Sequence, residues 1–163
     1  MTGKIESRLA EMGLSLPTPA KPVASYVPFV QSGNLLFVSG QLPFGLDPLP
    51  TGTLTAADHA DGAPAAGSRL AAAQAAARQC ALNLIAQAKA ATGDLDRITR
   101  VVKLGGFVNS DASFTQQPVV VNGASDLMQQ VFGAAGEHAR AAVGSSSLPM
   151  GVMVEIEAVF EIA

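Results

Sequence analysis

Arg140 lies in the run His138-Ala139-Arg140-Ala141-Ala142-Val143, followed by Leu148-Pro149 and then Val154-Glu155-Ile156-Glu157-Ala158. One guanidinium and two carboxylates thus fall in apolar, strand-like sequence, in a chain where only 14% of residues are charged. A cation flanked by Ala and Val needs a partner. Glu155 or Glu157 on an adjacent strand is one candidate, because internal charges are commonly paired. A small exogenous carboxylate is the other: a planar guanidinium grips one through two parallel hydrogen bonds, which orient the ligand as well as hold it. The glutamates have a plainer reading too, as an exposed or interfacial polar face. His138, two residues before Arg140, points the same way on a strand and reads as a rim residue. His59 sits in a loop with no visible partner. Two histidines and one cysteine, all far apart, make no metal ligand set. Cys80, among helix formers, reads as a packed small hydrophobe. No serine occupies a nucleophile elbow, and Gly105-Gly106 lack the turn into a helix that a phosphate loop requires.

The chain has 163 residues, the size of one ordinary domain, so 1–163 is read as a single unit without a linker or internal repeat. Net charge is −3, with one Tyr and no Trp, and the pI is near 5.2, so neither a basic footprint nor a stacking platform for nucleic acid is present. The lone cysteine fits a reducing compartment, the N-terminal residues carry mixed charge without an apolar core, and no window is apolar enough to span a bilayer. A cytoplasmic protein with no membrane partner is expected. Mean hydropathy is +0.31, but much of the apolar content is Ala, which buries less area per residue than Leu or Phe. Burial against other subunits is the expected compensation.

Segment patterns place the chemistry. Ile5 to Met12 reads as a short amphipathic helix stopped by Gly13, with Pro17, Pro19 and Pro22 extending the lead-in through residues 1–20 and beyond. Tyr26 to Val30 and Asn34 to Ser39 form a strand pair joined by a turn over Gln31-Ser32-Gly33-Asn34. Residues 43–67, rich in Gly, Pro, Asp and Thr, are a surface loop or a lid. Ser68 to Thr92 is one long helix, with Gly93 beyond its end. Arg97 to Asn109 is a strand whose paired glycines mark a bulge or a close backbone approach. Asn122 to Phe132 is a second packed helix with Ser125 as its N-cap. Strands follow at Ala139 to Val143 and Val152 to Ile162. The last alternates Val152, Val154, Ile156, Ala158 and Phe160 on one face with Met153, Glu155, Glu157, Val159 and Glu161 on the other, a mixed face suited to a subunit or cleft. Strands grouped around two packed helices indicate an α+β sandwich.

Tyr26, Ser39-Gly40-Gln41-Leu42-Pro43, Ala139-Arg140, Leu148-Pro149 and Val154-Glu155-Ile156-Glu157-Ala158 together resemble the RidA/YjgF family of enamine/imine deaminases, over roughly residues 22 to 160. The N-terminal helix, the long central loop and Val121-Asn122-Gly123-Ala124-Ser125-Asp126-Leu127 resemble a divergent branch of it, often labelled endoribonuclease or translation inhibitor. The resemblance implies a chorismate-mutase-like α+β fold, a mixed sheet with two helices on one face, assembled as a homotrimer with clefts between subunits. It implies that Arg140 binds the carboxylate of a 2-imino or 2-enamino acid, and that water attacks the imine carbon to release ammonia and a 2-keto acid. No cofactor is implied, because a protonated C=N carbon is already electrophilic.

Glu155 is the candidate for holding the water, as a general acid/base. Tyr26 is the second catalytic candidate and, with Ser39, is expected to line the cleft, while Ala142 contributes backbone to substrate binding where archetypal members carry cysteine. Asn122, eighteen residues before Arg140 and about one more than the family spacing, corresponds to a further cleft residue. Gly144-Ser145-Ser146-Ser147 replaces the usual polar or charged residues before Leu-Pro, so a larger or different substrate is in view. A carboxylate-binding module without turnover is the alternative function; ribonuclease activity has only the family label behind it, and the acidic balance opposes it.

Overall fold

The computed structural model describes residues 3–20 and 25–163, so Pro22 lies outside them. Helix α1 (Lys4–Glu11) is capped from outside: Asp96 accepts from the N–H groups of Lys4 and Ile5 at 2.8 and 2.9 Å, and Glu6 pairs with Lys89. Leu9 is the residue it buries. Gly13, at φ +68°, supplies the left-handed turn that ends it.

Strand β1 (Phe29–Ser32) and strand β2 (Leu35–Gln41) form the antiparallel hairpin, shifted a few residues later than the sequence suggests. Tyr26 precedes the strand and stands on the surface. Helix α2 (Arg69–Thr92) begins at Ser68, whose hydroxyl accepts from the Ala71 N–H, and ends on Gly93 at φ +73°. Strand β3 (Ile98–Asn109) precedes helix α3 (Gln117–Phe132), strand β4 (Ala139–Ser145) and strand β5 (Val154–Ile162). The five strands are ordered β1-β2-β5-β3-β4, all neighbours antiparallel except β3 with β4. Helices α2 and α3 cover one face of this mixed sheet, the α+β arrangement expected.

Alternation on β5 holds from Val154 onward: Val154, Ile156, Ala158 and Phe160 are buried under the helices. Met153 departs from it. It is 4% exposed, because the strand starts only at Val154 and residues 152 and 153 are drawn into the long loop. That loop is pinned rather than lid-like: Thr51 bridges Val152, Leu54 bridges Ser110, and the Leu54 side chain is fully buried. His59 has a partner after all, since the Thr115 N–H donates to its Nε2 at 3.1 Å and its ring packs on Phe114.

Helix α3 starts five residues earlier than the sequence reading, at Gln117, so Ser125 is not its cap but an inward-facing residue of the third turn. Small residues let α2 and α3 approach closely. A Cβ on Gly123 would lie 2.0 Å from the Gln74 carbonyl oxygen, and Gln74 Nε2 donates to the Val119 carbonyl at 2.9 Å. Gly123→Ala would gain up to about 1 kcal/mol of helix propensity, but it collides with backbone that cannot swing aside. A net loss of about 1–3 kcal/mol is expected, the usual cost of overpacking, read as a lower urea midpoint with unchanged slope.

Candidate functional site

Two groups of candidate residues occur, on different parts of the molecule. The first is built on β4 and α3. Arg140 pairs with Leu104 of β3, which pairs with Ala158 of β5; both partners are buried helix-side residues, so Arg140 projects on the helix side of the sheet. Its Nη1 donates to Asn122 Oδ1 at 2.8 Å and to Ser125 Oγ at 3.1 Å. Asn122 and Ser125 share a helix face because they are three apart. Ala142, two residues along β4, pairs with Gly106 and packs its methyl on the core, leaving backbone as its contribution.

Behind Arg140 lies His138. Its Nδ1 is 2.6 Å from the Gly136 carbonyl oxygen, which only accepts, so Nδ1 carries the proton. Nε2, 3.0 Å from Ser125 Oγ, then accepts the serine proton. That leaves the Ser125 lone pairs for Arg140. His138 is therefore a support one step behind the guanidinium rather than a rim residue. Ser125→Ala removes one of the two anchors and strands Nε2. If the guanidinium holds a carboxylate, its binding is expected to weaken about fivefold to tenfold, near the net worth of one hydrogen bond, with Asn122 retaining the rest; calorimetry with a 2-keto acid measures it.

The second group surrounds a cleft of about 380 Å³ whose lining includes Tyr26, Gly40, Gln41, Met150 and Glu155. Between Val38↔Ala158 and Gln41↔Ile156, β2 spends one residue more than β5, a bulge at Ser39-Gly40. The bulge sets Gly40 beneath Glu155: a Cβ there would fall 2.0 Å from Glu155 Oε1. Glycine is what admits the carboxyl. Gln41 Nε2 donates to the carbonyls of Ser39 and Gly40 at 3.0 and 3.2 Å and holds the bulge in shape. Glu157 similarly lies over Gly105, where a Cβ would fall 2.6 Å from its Oε1, so the paired glycines mark a close approach and not a bulge. Ser39 Oγ donates to the Val27 carbonyl at 2.8 Å, anchoring the segment after Tyr26. Its role here is to hold the cleft wall.

Burial pushes the Glu155 carboxyl above its usual 4.5, and the Glu157 carboxylate pushes it the same way. Burial also raises the Cys80 thiol well above its ordinary value, with a smaller contribution from Glu155, so Cys80 is a neutral packed side chain.

The two groups do not meet within one chain. Glu155 and Glu157 project from the face of the sheet opposite the helices, Arg140 from the helix side, and β3 lies between β4 and β5. The expectation that Glu155 runs close to Arg140 is corrected accordingly. No ion pair joins Arg140 to either glutamate among the described residues. Gly40, Gln41 and Met150 carry no assigned role in the sequence pattern, and Ser125, which reads there as a cap, is instead a partner of Arg140. The Ser39-Gly40-Gln41 string and the i, i+3 spacing of Asn122 and Ser125 were the available signals.

Residues 6–161 match the family described as "YjgF/chorismate_mutase-like, putative endoribonuclease". Protein TCP17 of Trypanosoma cruzi is 47% identical over 163 residues, covering 99% of this chain and 96% of that protein. The crystal structure of Atu1372 from Agrobacterium tumefaciens is 49% identical with a TM-score of 0.81, over 98% of this chain and 92% of its own. A Shewanella oneidensis structure described as "a putative endoribonuclease" is 34% identical with a TM-score of 0.84, over 97% and 99%. The sheet order, the paired helices and the match across nearly the whole length make this chain a member of the YjgF/chorismate-mutase-like family, the RidA/YjgF family.

Proposed function

We propose that this protein hydrolyses 2-imino and 2-enamino acids to 2-keto acids. An enamine first takes a proton from solvent on carbon and becomes the iminium ion, the conjugate acid of its imine tautomer. The iminium then takes up water, C–O forms, C–N breaks, and ammonium leaves with both protons supplied by the water. The observation that carries this reading is the state of Arg140. Its Nη1 is spent on two neutral oxygens that orient the guanidinium, while no side chain among the described residues takes its Nη2 and Nε protons. That edge of the fork has the geometry for a carboxylate. Glu155, with its pKa raised, supplies the acid/base group beside a cleft.

Because Arg140 and Glu155 lie on opposite sides of one sheet, the complete site needs two copies, and we take the family's homotrimer as the form that joins them. Partly exposed Phe37 and Val143 on the sheet supply apolar surface for it. Light scattering should return three times the 16.5 kDa chain mass. A binding module without turnover is the second reading, favoured by the distance between the two groups within a chain. Nucleic acid is opposed as a partner by 13 acidic against 10 basic residues. The deciding experiment generates imines in situ with an amino-acid oxidase and follows their disappearance with purified protein. Hydrolysis no faster than buffer, together with keto acid binding, would favour the module.

A further inference from the structure

We infer that the cleft beside Glu155 takes the side chain of a bulky apolar imino acid, with Met150 as its specificity-determining wall; this rests on the deaminase reading. The cleft, at about 380 Å³, is within the range of sites for whole small molecules, about 300–1,000 Å³. Its apolar walls include Tyr26, Leu42, Phe44, Pro149 and Met150, Gln41 and Gln87 add two amides, and Glu155 is its one carboxyl among the described residues. Tyr26, Phe44 and Met150 are 51%, 42% and 67% exposed there. An imino acid no larger than alanine's would leave those walls wet, whereas a branched or aromatic side chain covers them.

Met150 is the unusual member. It has φ +57° and ψ 12°, the left-handed region that a non-glycine side chain adopts only at a cost. The flanking contacts keep it there. The Gly151 N–H donates to the Leu148 carbonyl at 3.0 Å, and the Gly52 N–H, from the long loop, donates to the Gly151 carbonyl at 2.8 Å. A flexible, polarizable thioether held at the mouth of a cleft suits an apolar ligand of variable shape. The long loop builds the site at both ends, contributing Phe44 as a wall and Gly52 as the brace for the Met150 turn.

Each methylene buried in such a cleft is worth about threefold to fourfold in affinity, so imines from leucine and phenylalanine are expected to react about tenfold to hundredfold faster in kcat/KM than the imine from alanine. The test uses full-length protein and imines made by an amino-acid oxidase from alanine, leucine and phenylalanine. Calorimetry with the three matching 2-keto acids runs in parallel. Met150→Trp, which fills the mouth, should compress or invert the ranking in both. Hydrolysis or binding that does not rise with side-chain size, or a ranking untouched by Met150→Trp, overturns the inference while leaving the deaminase reading standing. Keto acids that bind in the expected order without any imine hydrolysis overturn the deaminase reading and keep the cleft assignment for a binding module. Binding of none of them overturns both.

Discussion

Arg140→Ala is expected to abolish measurable binding of 2-keto acids and to cut imine hydrolysis by a factor of about 100 or more. Two charge-assisted hydrogen bonds, at about 1.5–3 kcal/mol each, are lost together. The same change should leave the fold nearly intact. Arg140 is exposed on the edge strand β4, and what the protein itself loses is its contact with Asn122 and Ser125. Arg140→Lys should rescue little of the activity, because an ammonium restores the charge but not the two parallel donors. Steady-state kinetics and calorimetry on both variants, with a melting curve as control, separate this from unfolding. Wild-type affinity in Arg140→Ala would remove the basis of the proposed function.

Glu155→Gln is expected to lower kcat by about 100- to 10,000-fold, the range for removing a general acid/base, with KM little changed because the carboxylate of the substrate is held elsewhere. The pH dependence carries the same assignment. Glu155 titrates above 4.5, raised by burial and then by Glu157. If its ionised form holds the water, wild-type activity falls as pH drops through that raised value. Glu157→Gln removes the like charge and moves this limb to lower pH. Stability moves in the opposite sense to activity. A carboxyl with a raised folded pKa contributes its full stability below 4.5 and loses it as pH rises through the folded value. Glu155→Gln, which does not ionise, should therefore be more stable than wild type near neutrality, and the gap should close in acid. Urea midpoints at the two extremes measure it. An acid limb unmoved in Glu157→Gln would separate Glu155 from the rate.

Local physics made much of the fold readable from residues alone. Helix α2 is written in the Ala and Leu spacing between a Ser cap and a Gly stop, and β5 in strict alternation from Val154 to Phe160; both patterns depend only on the chain's own geometry. Tyr26 as part of a strand and Ser125 as a cap fail for the reason local signals generally fail at element ends. Neighbouring structure decides where hydrogen bonding begins. Helix α3 takes in Pro118 and the Val119-Val120-Val121 run, ahead of the start read from sequence, because the full burial of Val120 and Val121 outweighs the modest helix propensity of valine.

By itself, the sequence determined which side chains stand out chemically: one arginine in apolar surroundings and a pair of glutamates on a half-apolar strand. Only the tertiary structure decided which of them share a site. Strand order is a property of the whole sheet, and by inserting β3 between β4 and β5 it parts Arg140 from Glu155. The parity of the pairings then sends the two to opposite faces. The bulge that seats Glu155 over Gly40 arises in the same way, from a mismatch between two strands far apart in the chain.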